Sequence, residues 1–280
     1  RSYVLLENSS SAAQAFEKLI REFPQSSLAR KAGIQLGLLY YNDNQPEKAL
    51  AAYKQVISNY PGSEEAKIAL QDLKSVYIDL NDINAYASYV NSIGSNIRLE
   101  VGEQDSLTYI AAEKLFMRGD NDGARRSLIN YLQTFPEGAF SSNANFYLGS
   151  IAFAKKEFDE AIQRFKSVIA SGDTKFLEES VARTAEIEYL SKDYPAALES
   201  FKRLQIVAEN PENRQAARLG IMRCALQTGQ QKDALLAADE LLKEPKLSPE
   251  LEAEARYVRA KAYIAQKQAN KALADLKELS

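Results

Sequence analysis

The chain holds few residues that could carry out catalysis, and the type that most often does so is missing. Its 280 residues include no histidine and a single cysteine, Cys224. Histidine is the commonest general base and metal ligand, and one thiol can form neither an internal disulfide nor a thiolate metal site. Cys224 lies in the apolar helical pattern of residues 221–226, so we expect it to pack in a core rather than to react.

Carboxylates are plentiful, but their spacing indicates structural roles. Residues 120–123, Asp-Asn-Asp-Gly, resemble part of a calcium-binding loop, yet no glutamate follows at the distance that such a loop requires. We expect a turn between helices there, with an N-cap. The pairs at 64–65 and 178–179 are placed to open helices, where the helix dipole favours acidic side chains. The sequence therefore predicts no catalytic, cofactor-binding or metal-binding residues, and a protein that is not an enzyme.

The composition favours a helical protein without an affinity for nucleic acid. The net charge is −3, which provides no basic surface to attract phosphates. Only 12 Gly and 8 Pro occur in the chain, which is consistent with a high helix content. The apolar runs are far shorter than the roughly 18 residues that a membrane-spanning helix needs, so we expect no membrane insertion by this segment.

An alanine recurs along the chain in a similar context, four residues before a residue that is usually aromatic or apolar. Its positions are Ala13, Ala49, Ala85, Ala124, Ala161, Ala197, Ala234 and Ala272, at intervals of 36 to 39 residues. Twelve residues earlier stands another small residue in most copies, which would let two helices cross closely: Gly37, Ala112, Gly149, Ala185 and Ala260. Short turns with Asn, Asp, Gly or Pro separate the two positions. The pattern predicts repeated helix–turn–helix units.

Several second helices of these units are expected to end at an aromatic residue followed by proline. The dipeptides are Phe23-Pro24, Tyr60-Pro61 and Phe135-Pro136. Together with Tyr40-Tyr41 and the repeat alanines, this pattern resembles the tetratricopeptide repeat. The form Phe/Tyr-Pro-x-Ser is similar to a bacterial subclass common in periplasmic and outer-membrane-associated proteins.

The resemblance implies an all-α fold, a right-handed α-α superhelix of about seven helix–turn–helix repeats preceded by an unpaired N-terminal helix. We expect residues 1–280 to form a single solenoid that is a fragment of a longer chain, with the rest of that chain as one of its contacts. A possible bend or subdivision is expected at 94–103, where the interval between repeats is widest; an irregular connection there is the alternative to a functional hinge.

The resemblance also implies that the first helices of the repeats line a concave groove. Residues eight positions before the repeat alanine, or seven residues earlier still on these helices, are often aromatic, which predicts a stripe for an extended peptide or a helix. The candidate groove residues are Tyr41, Tyr77, Tyr109, Phe116, Phe146, Phe153, Tyr189 and Tyr257. The alternative is that these side chains pack between neighbouring first helices.

We expect a non-enzymatic protein–protein interaction scaffold of the bacterial cell envelope, periplasmic or associated with the outer membrane, with a peptide or protein partner and no cofactor. The carboxylate clamp by which some family members hold a chaperone tail is not matched, because Ile34 and Leu38 stand at the corresponding positions. One alternative is a carbohydrate-binding platform at the outer membrane, although the chain lacks Trp, the residue that stacks best on sugars. Another is a cytoplasmic adaptor.

Overall fold

The computed structural model describes residues 9–94, 99–172 and 174–279, and the regular secondary structure in these ranges is entirely helical. Fifteen helices are described there: α1 (Ser9–Glu22), α2 (Ser27–Asn42), α3 (Pro46–Asn59), α4 (Glu64–Asp79), α5 (Ile83–Ser92), α6 (Val101–Met117), α7 (Asn121–Thr134), α8 (Ser141–Ala154), α9 (Phe158–Ser171), α10 (Leu177–Leu190), α11 (Tyr194–Val207), α12 (Pro211–Gln227), α13 (Gln231–Leu241), α14 (Pro249–Ala265) and α15 (Ala269–Lys277).

The helices after α1 form seven antiparallel pairs, each made of a first helix, a tight turn and a second helix. Each helix packs mainly on its neighbours in sequence, as in other repeat proteins. The predicted fold class, an all-α solenoid of about seven helix–turn–helix repeats with an unpaired helix at its start, is confirmed.

Close crossing of the two helices explains the recurring small residues. Seven of the eight repeat alanines are buried, and Ala85 is half-buried. A Cβ atom added at Gly37 would lie 2.4 Å from the Tyr53 ring, and one at Gly149 would lie 2.8 Å from the Phe165 ring. The glycine of the first helix therefore makes room for the aromatic residue that follows the repeat alanine by one turn.

Helix ends follow the local chemistry of the sequence. The hydroxyl oxygen of Ser26 accepts hydrogen bonds from the Leu28 and Ala29 N–H groups, and Ser63 caps α4 in the same way. Helices α1, α3 and α7 each end immediately before the aromatic residue of an aromatic–proline pair. Proline cannot supply the N–H that a continuing helix needs.

The chain divides into two compact units, Arg1–Phe140 (unit 1) and Ser141–Ser280 (unit 2). In unit 1 the largest group of buried side chains surrounds Tyr53, Leu73 and Val76; in unit 2 it surrounds Leu198, Phe201 and Met222. The single solenoid expected over 1–280 remains a prediction.

The predicted bend at 94–103 falls partly on residues 95–98, which lie outside the described residues. On either side of them, Gly94 has a φ of 61° and α6 already begins at Val101. The bend stays a prediction. Within the described ranges, no helix has the length and apolar character needed to cross a bilayer.

Candidate partner-binding site

The aromatic residues that the sequence assigns to a groove differ widely in exposure. In unit 1, Tyr77 and Tyr109 are buried. The Tyr77 ring lies against Tyr86, with 6.0 Å between ring centroids, and Tyr109 stacks on Phe140 at 4.5 Å. These two side chains pack within unit 1, so a partner could reach them only if neighbouring side chains moved.

Tyr41 and Phe116 are half-buried residues near the C-terminal ends of α2 and α6. The Tyr41 hydroxyl donates a hydrogen bond to the Asp79 carboxylate on α4. The same carboxylate accepts hydrogen bonds from Lys114 at 2.7 Å and from Arg118 at 2.9 Å. This polar cluster links the first helices of three successive repeats. The Tyr41 hydroxyl is one of its members, so it already has a hydrogen-bond partner within the chain.

In unit 2, three of the four candidates are half-buried and Tyr257 is exposed. Phe146 stacks on Phe176 with ring centroids 4.2 Å apart. The guanidinium of Arg183 lies 4.9 Å from the centre of the Phe153 ring, a distance suited to a cation–π interaction. Tyr189 differs from the others because it lines a cavity. The role of all eight residues in binding stays a prediction.

The cavity beside Tyr189, named here the α10–α12 pocket, has a volume of about 290 Å³ and opens between two neighbouring first helices. Helix α11 supplies its floor with the buried side chains of Phe201 and Leu204. Its walls are mainly apolar and come from Ala182, Tyr189 and Leu190 of α10 and from Ala216, Leu219 and Gly220 of α12.

Gly220 determines how closely α12 approaches the floor of the pocket. A Cβ atom at this position would lie 2.4 Å from the Phe201 ring, too close for any real contact. Gly220 stands fourteen residues before the repeat alanine Ala234. The other six pairs carry a side chain at the same register, namely Gln35, Gln71, Ile110, Tyr147, Arg183 and Val258.

Charged side chains surround the opening of the pocket. The guanidinium of Arg183 donates to Glu179 at 2.8 Å and to Glu186 at 3.0 Å, so one cation is shared by two carboxylates on α10. Burial would lower the pKa of Arg183, but the two carboxylates outweigh it and raise the pKa above its usual value. Arg183 therefore stays charged and fixed between its two partners.

The second rim cation, Arg223 on α12, is bound by Glu254 on α14, the first helix of the following pair. Its guanidinium donates two hydrogen bonds to the Glu254 carboxylate, both at 2.7 Å. This bidentate contact raises the pKa of Arg223 despite partial burial. A bidentate pair fixes orientation as well as distance.

Glu178, next to the pocket rim, fixes the start of α12. Its carboxylate accepts hydrogen bonds from the N–H groups of Glu209 and Asn210 and from the Asn213 side chain at 2.7 Å. Desolvation would raise the pKa of Glu178, but these hydrogen bonds and the charge of Arg214 outweigh it and lower the pKa. The ionised carboxylate thus positions the helix that forms one wall.

A larger cleft of about 730 Å³ lies in unit 1 among α1, α2 and α3. Charged and amide side chains make up much of its lining, including Glu17, Arg21, Lys48 and Gln55. The α10–α12 pocket is more enclosed by apolar side chains, which makes it the better site for an apolar anchor.

Cys224 and the turn at 120–123, which the sequence analysis considered for reactivity and calcium binding, have structural roles. Burial raises the pKa of the Cys224 thiol to about 11, so the predicted core role of this residue is confirmed. The Asp120 carboxylate accepts a hydrogen bond from the Gly123 N–H at 2.9 Å, which confirms the predicted N-cap. Across the described ranges, no group of three or more acidic, His or Cys side chains could hold a metal ion.

Reasoning from the sequence found Tyr189 but missed the rest of the pocket. Arg183 stands fourteen residues before its repeat alanine, whereas Glu186 and Arg223 stand eleven residues before theirs. The cavity forms between two repeats, so a pattern sought within one repeat does not reveal it. One available signal was Gly220, the only glycine at its register in the seven pairs.

Comparison with known proteins identifies the repeat. A family model described as tetratricopeptide repeat matches residues 1–26 and 32–63, and a second model with the same description matches residues 111–174. A search of curated proteins finds no match.

A search of solved structures finds similar proteins at low sequence identity. The C-terminal part of a TPR repeat-containing protein from Cytophaga hutchinsonii is 17% identical, covering 87% of this chain and 93% of that one, with a TM-score of 0.47. MamA is 18% identical over 65% of this chain and 93% of its own, with a TM-score of 0.43. PilW, a type IV pilus biogenesis factor, is 15% identical over 82% and 99%, with a TM-score of 0.41. These levels leave the function to be argued from the chain's own residues.

The recurring alanines, the seven helix pairs and the matches of residues 1–26, 32–63 and 111–174 to two repeat models agree with one another, and the chain contains tetratricopeptide repeats.

Proposed function

We propose that the chain is a non-enzymatic scaffold that binds a peptide segment of a protein partner at the α10–α12 pocket. Tetratricopeptide repeats are protein-interaction modules. The α10–α12 pocket is the observation that supports peptide binding at this part of the chain. It combines an apolar floor and walls with a charged rim of fixed geometry. Such a combination is typical of an anchor site, in which one buried side chain supplies most of the affinity.

The pocket supplies part of the free energy of peptide binding. Burying one large apolar side chain contributes about 1.5–3 kcal/mol, and an aromatic ring against Phe201 and Tyr189 adds roughly 0.5–1.5 kcal/mol. Because the rim arginines are already held by carboxylates, binding does not have to order them. Contacts along the neighbouring first helices would supply the remainder.

The pocket is tested by filling it. Ala216 is an exposed alanine in the α12 wall, so Ala216→Phe places a ring in the cavity without removing any contact of the core. Proteins captured from an envelope extract are compared by quantitative mass spectrometry between the wild-type chain and this variant. We expect at least one captured protein to fall by about tenfold or more, the loss of one anchor.

The matched control is Ala170→Phe, the same change at an exposed alanine of α9 that does not line the pocket. It should retain the wild-type set of captured proteins. Identical capture by the wild-type chain and both variants would contradict the proposed site.

We also propose that the scaffold works in the bacterial cell envelope, in the periplasm or at the outer membrane. The support is the subclass motif Phe/Tyr-Pro-x-Ser at residues 23–26 and 60–63. Cell fractionation of the full-length protein tests this point separately from the pocket. Recovery with cytoplasmic proteins would favour the adaptor alternative.

A further inference from the structure

The rim of the α10–α12 pocket combines arginines that are already paired with carboxylates that remain partly exposed. Arg183 donates to two carboxylates, and Arg223 donates twice to Glu254. The side-chain amide of Asn213, also at the rim, donates a hydrogen bond to Glu178. By contrast, Glu179 and Glu186 each contact Arg183 through one oxygen, and their side chains remain 43% and 46% exposed.

From this arrangement we infer the chemistry of the partner: a peptide in which an aromatic or leucine side chain lies beside a lysine or arginine. The inference rests on the proposed function of the same pocket. The apolar side chain enters the cavity, and the cation lies against the carboxylates of Glu179 and Glu186.

The dimensions of the cavity select the anchor. A volume of about 290 Å³ with a floor of Phe201 and a wall of Tyr189 suits a single large side chain rather than a segment of helix. A planar ring fits such a site well, because offset or edge-to-face contact with the two rings adds to burial. A charged side chain in the same place would lose its water without gaining a partner.

The charges of the rim select the flanking residue. The charged side chains that line the pocket, two glutamates and two arginines, sum to zero, and Glu254, the partner of Arg223, adds one negative charge beside the opening. An added lysine or arginine finds an acceptor there without displacing an existing bond. An added aspartate or glutamate would meet carboxylates that repel it, and the charges of the rim arginines are already compensated by their carboxylate partners.

The test uses a random-peptide library displayed on phage and selected on the intact chain. Enriched sequences should place an aromatic residue or leucine within two residues of lysine or arginine. Synthetic copies of the enriched peptides are then titrated by fluorescence anisotropy at low and at high salt. Binding should weaken as salt rises, because the rim carboxylates are partly exposed.

Two variants separate the anchor from the charge. Ala216→Phe should abolish binding, because it fills the cavity. The double variant Glu179→Gln and Glu186→Gln should weaken the basic peptides by about tenfold and reduce their salt dependence, the effect of losing one charge-assisted contact. The double variant Glu47→Gln and Glu64→Gln changes the net charge equally at exposed positions of unit 1 and should leave affinity unchanged.

The outcomes distinguish this inference from the proposal on which it rests. Peptides that are sensitive to Ala216→Phe but carry acidic or uncharged flanks would overturn the inferred partner chemistry and leave the pocket as a binding site. If no selected peptide is sensitive to Ala216→Phe, both the pocket and its inferred ligand are overturned.

Discussion

At the scale of single residues, the smallest side chains determine how closely the helices pack. Gly37, Gly149 and Gly220 each face an aromatic ring that would collide with a Cβ atom. Gly220 differs from the other two in its register and in its position in the wall of a pocket. A methyl group there must push α12 away from Phe201 or force the ring out of its rotamer.

We predict that Gly220→Ala destabilises the protein by about 1–3 kcal/mol, the usual result of overpacking a core. The measurement is the shift in the midpoint of urea unfolding, followed by circular dichroism. Gly102→Ala is the matched control, because it lies in α6 with nothing within 4 Å of the added Cβ atom. It should stabilise the protein by roughly 0.5 kcal/mol, since alanine loses less backbone entropy in a helix. Equal destabilisation by the two changes would argue against close packing at Gly220.

At the scale of elements, the turn inside each pair follows one rule. Each of the seven turns contains a residue in the left-handed region: Asn44, Asn81, Gly119, Lys156, Lys192, Gly229 and Lys267. Glycine or asparagine adopts this conformation readily, whereas lysine pays a steric cost of roughly 1–2 kcal/mol. Three of the turns are therefore built from a residue that is poorly suited to them.

Lys192→Gly should consequently stabilise the protein, by about 0.5–1 kcal/mol after the backbone entropy of glycine is subtracted. Differential scanning calorimetry would show this as a higher unfolding temperature. The neighbouring change Ser191→Gly is the control, because Ser191 has a φ of −77° and gains nothing from glycine. A lower unfolding temperature for Lys192→Gly would show that the turn is not strained.

The helices were predictable from the sequence because their signals are local. The repeat alanines, the aromatic–proline stops and the turn residues each act within one helical turn, and they give the element order correctly. Whether an aromatic side chain is covered depends instead on the neighbouring repeat. Tyr109 and Tyr257 both stand fifteen residues before a repeat alanine, yet the first is 2% exposed and the second 50%. The pocket was not predictable for the same reason, since it depends on the spacing of α10 and α12.

At the scale of the whole molecule, the stability of each helix should depend mainly on the helices adjacent to it in sequence. Helices pack mainly on those adjacent in sequence, and each of the two units contains its own buried core. In such a chain the effect of a cavity is greatest in the repeat that contains it and in the repeats next to it.

We predict that Leu73→Ala, which empties a fully buried site in α4, removes about 2–5 kcal/mol from that region. Hydrogen exchange followed by mass spectrometry should show faster exchange in α3 to α5 and unchanged protection in α12 to α14. Leu198→Ala in α11, also fully buried, should speed exchange in α11 and its two neighbouring helices and leave the protection of α3 to α5 unchanged. A uniform loss of protection in both variants would mean that the chain unfolds as one cooperative unit.

The position of the α10–α12 pocket along the chain has a consequence for how such a site can arise and spread. All the residues that line it lie between Glu179 and Arg223, and only the brace from Glu254 comes from beyond that stretch. Enzyme sites usually gather residues from distant parts of a gene, so recombination tends to separate them. Here one short coding segment carries every residue that lines the pocket. Duplication would copy the site and exchange would transfer it to another array in a single event, and the same property makes it suitable for grafting onto a designed repeat protein.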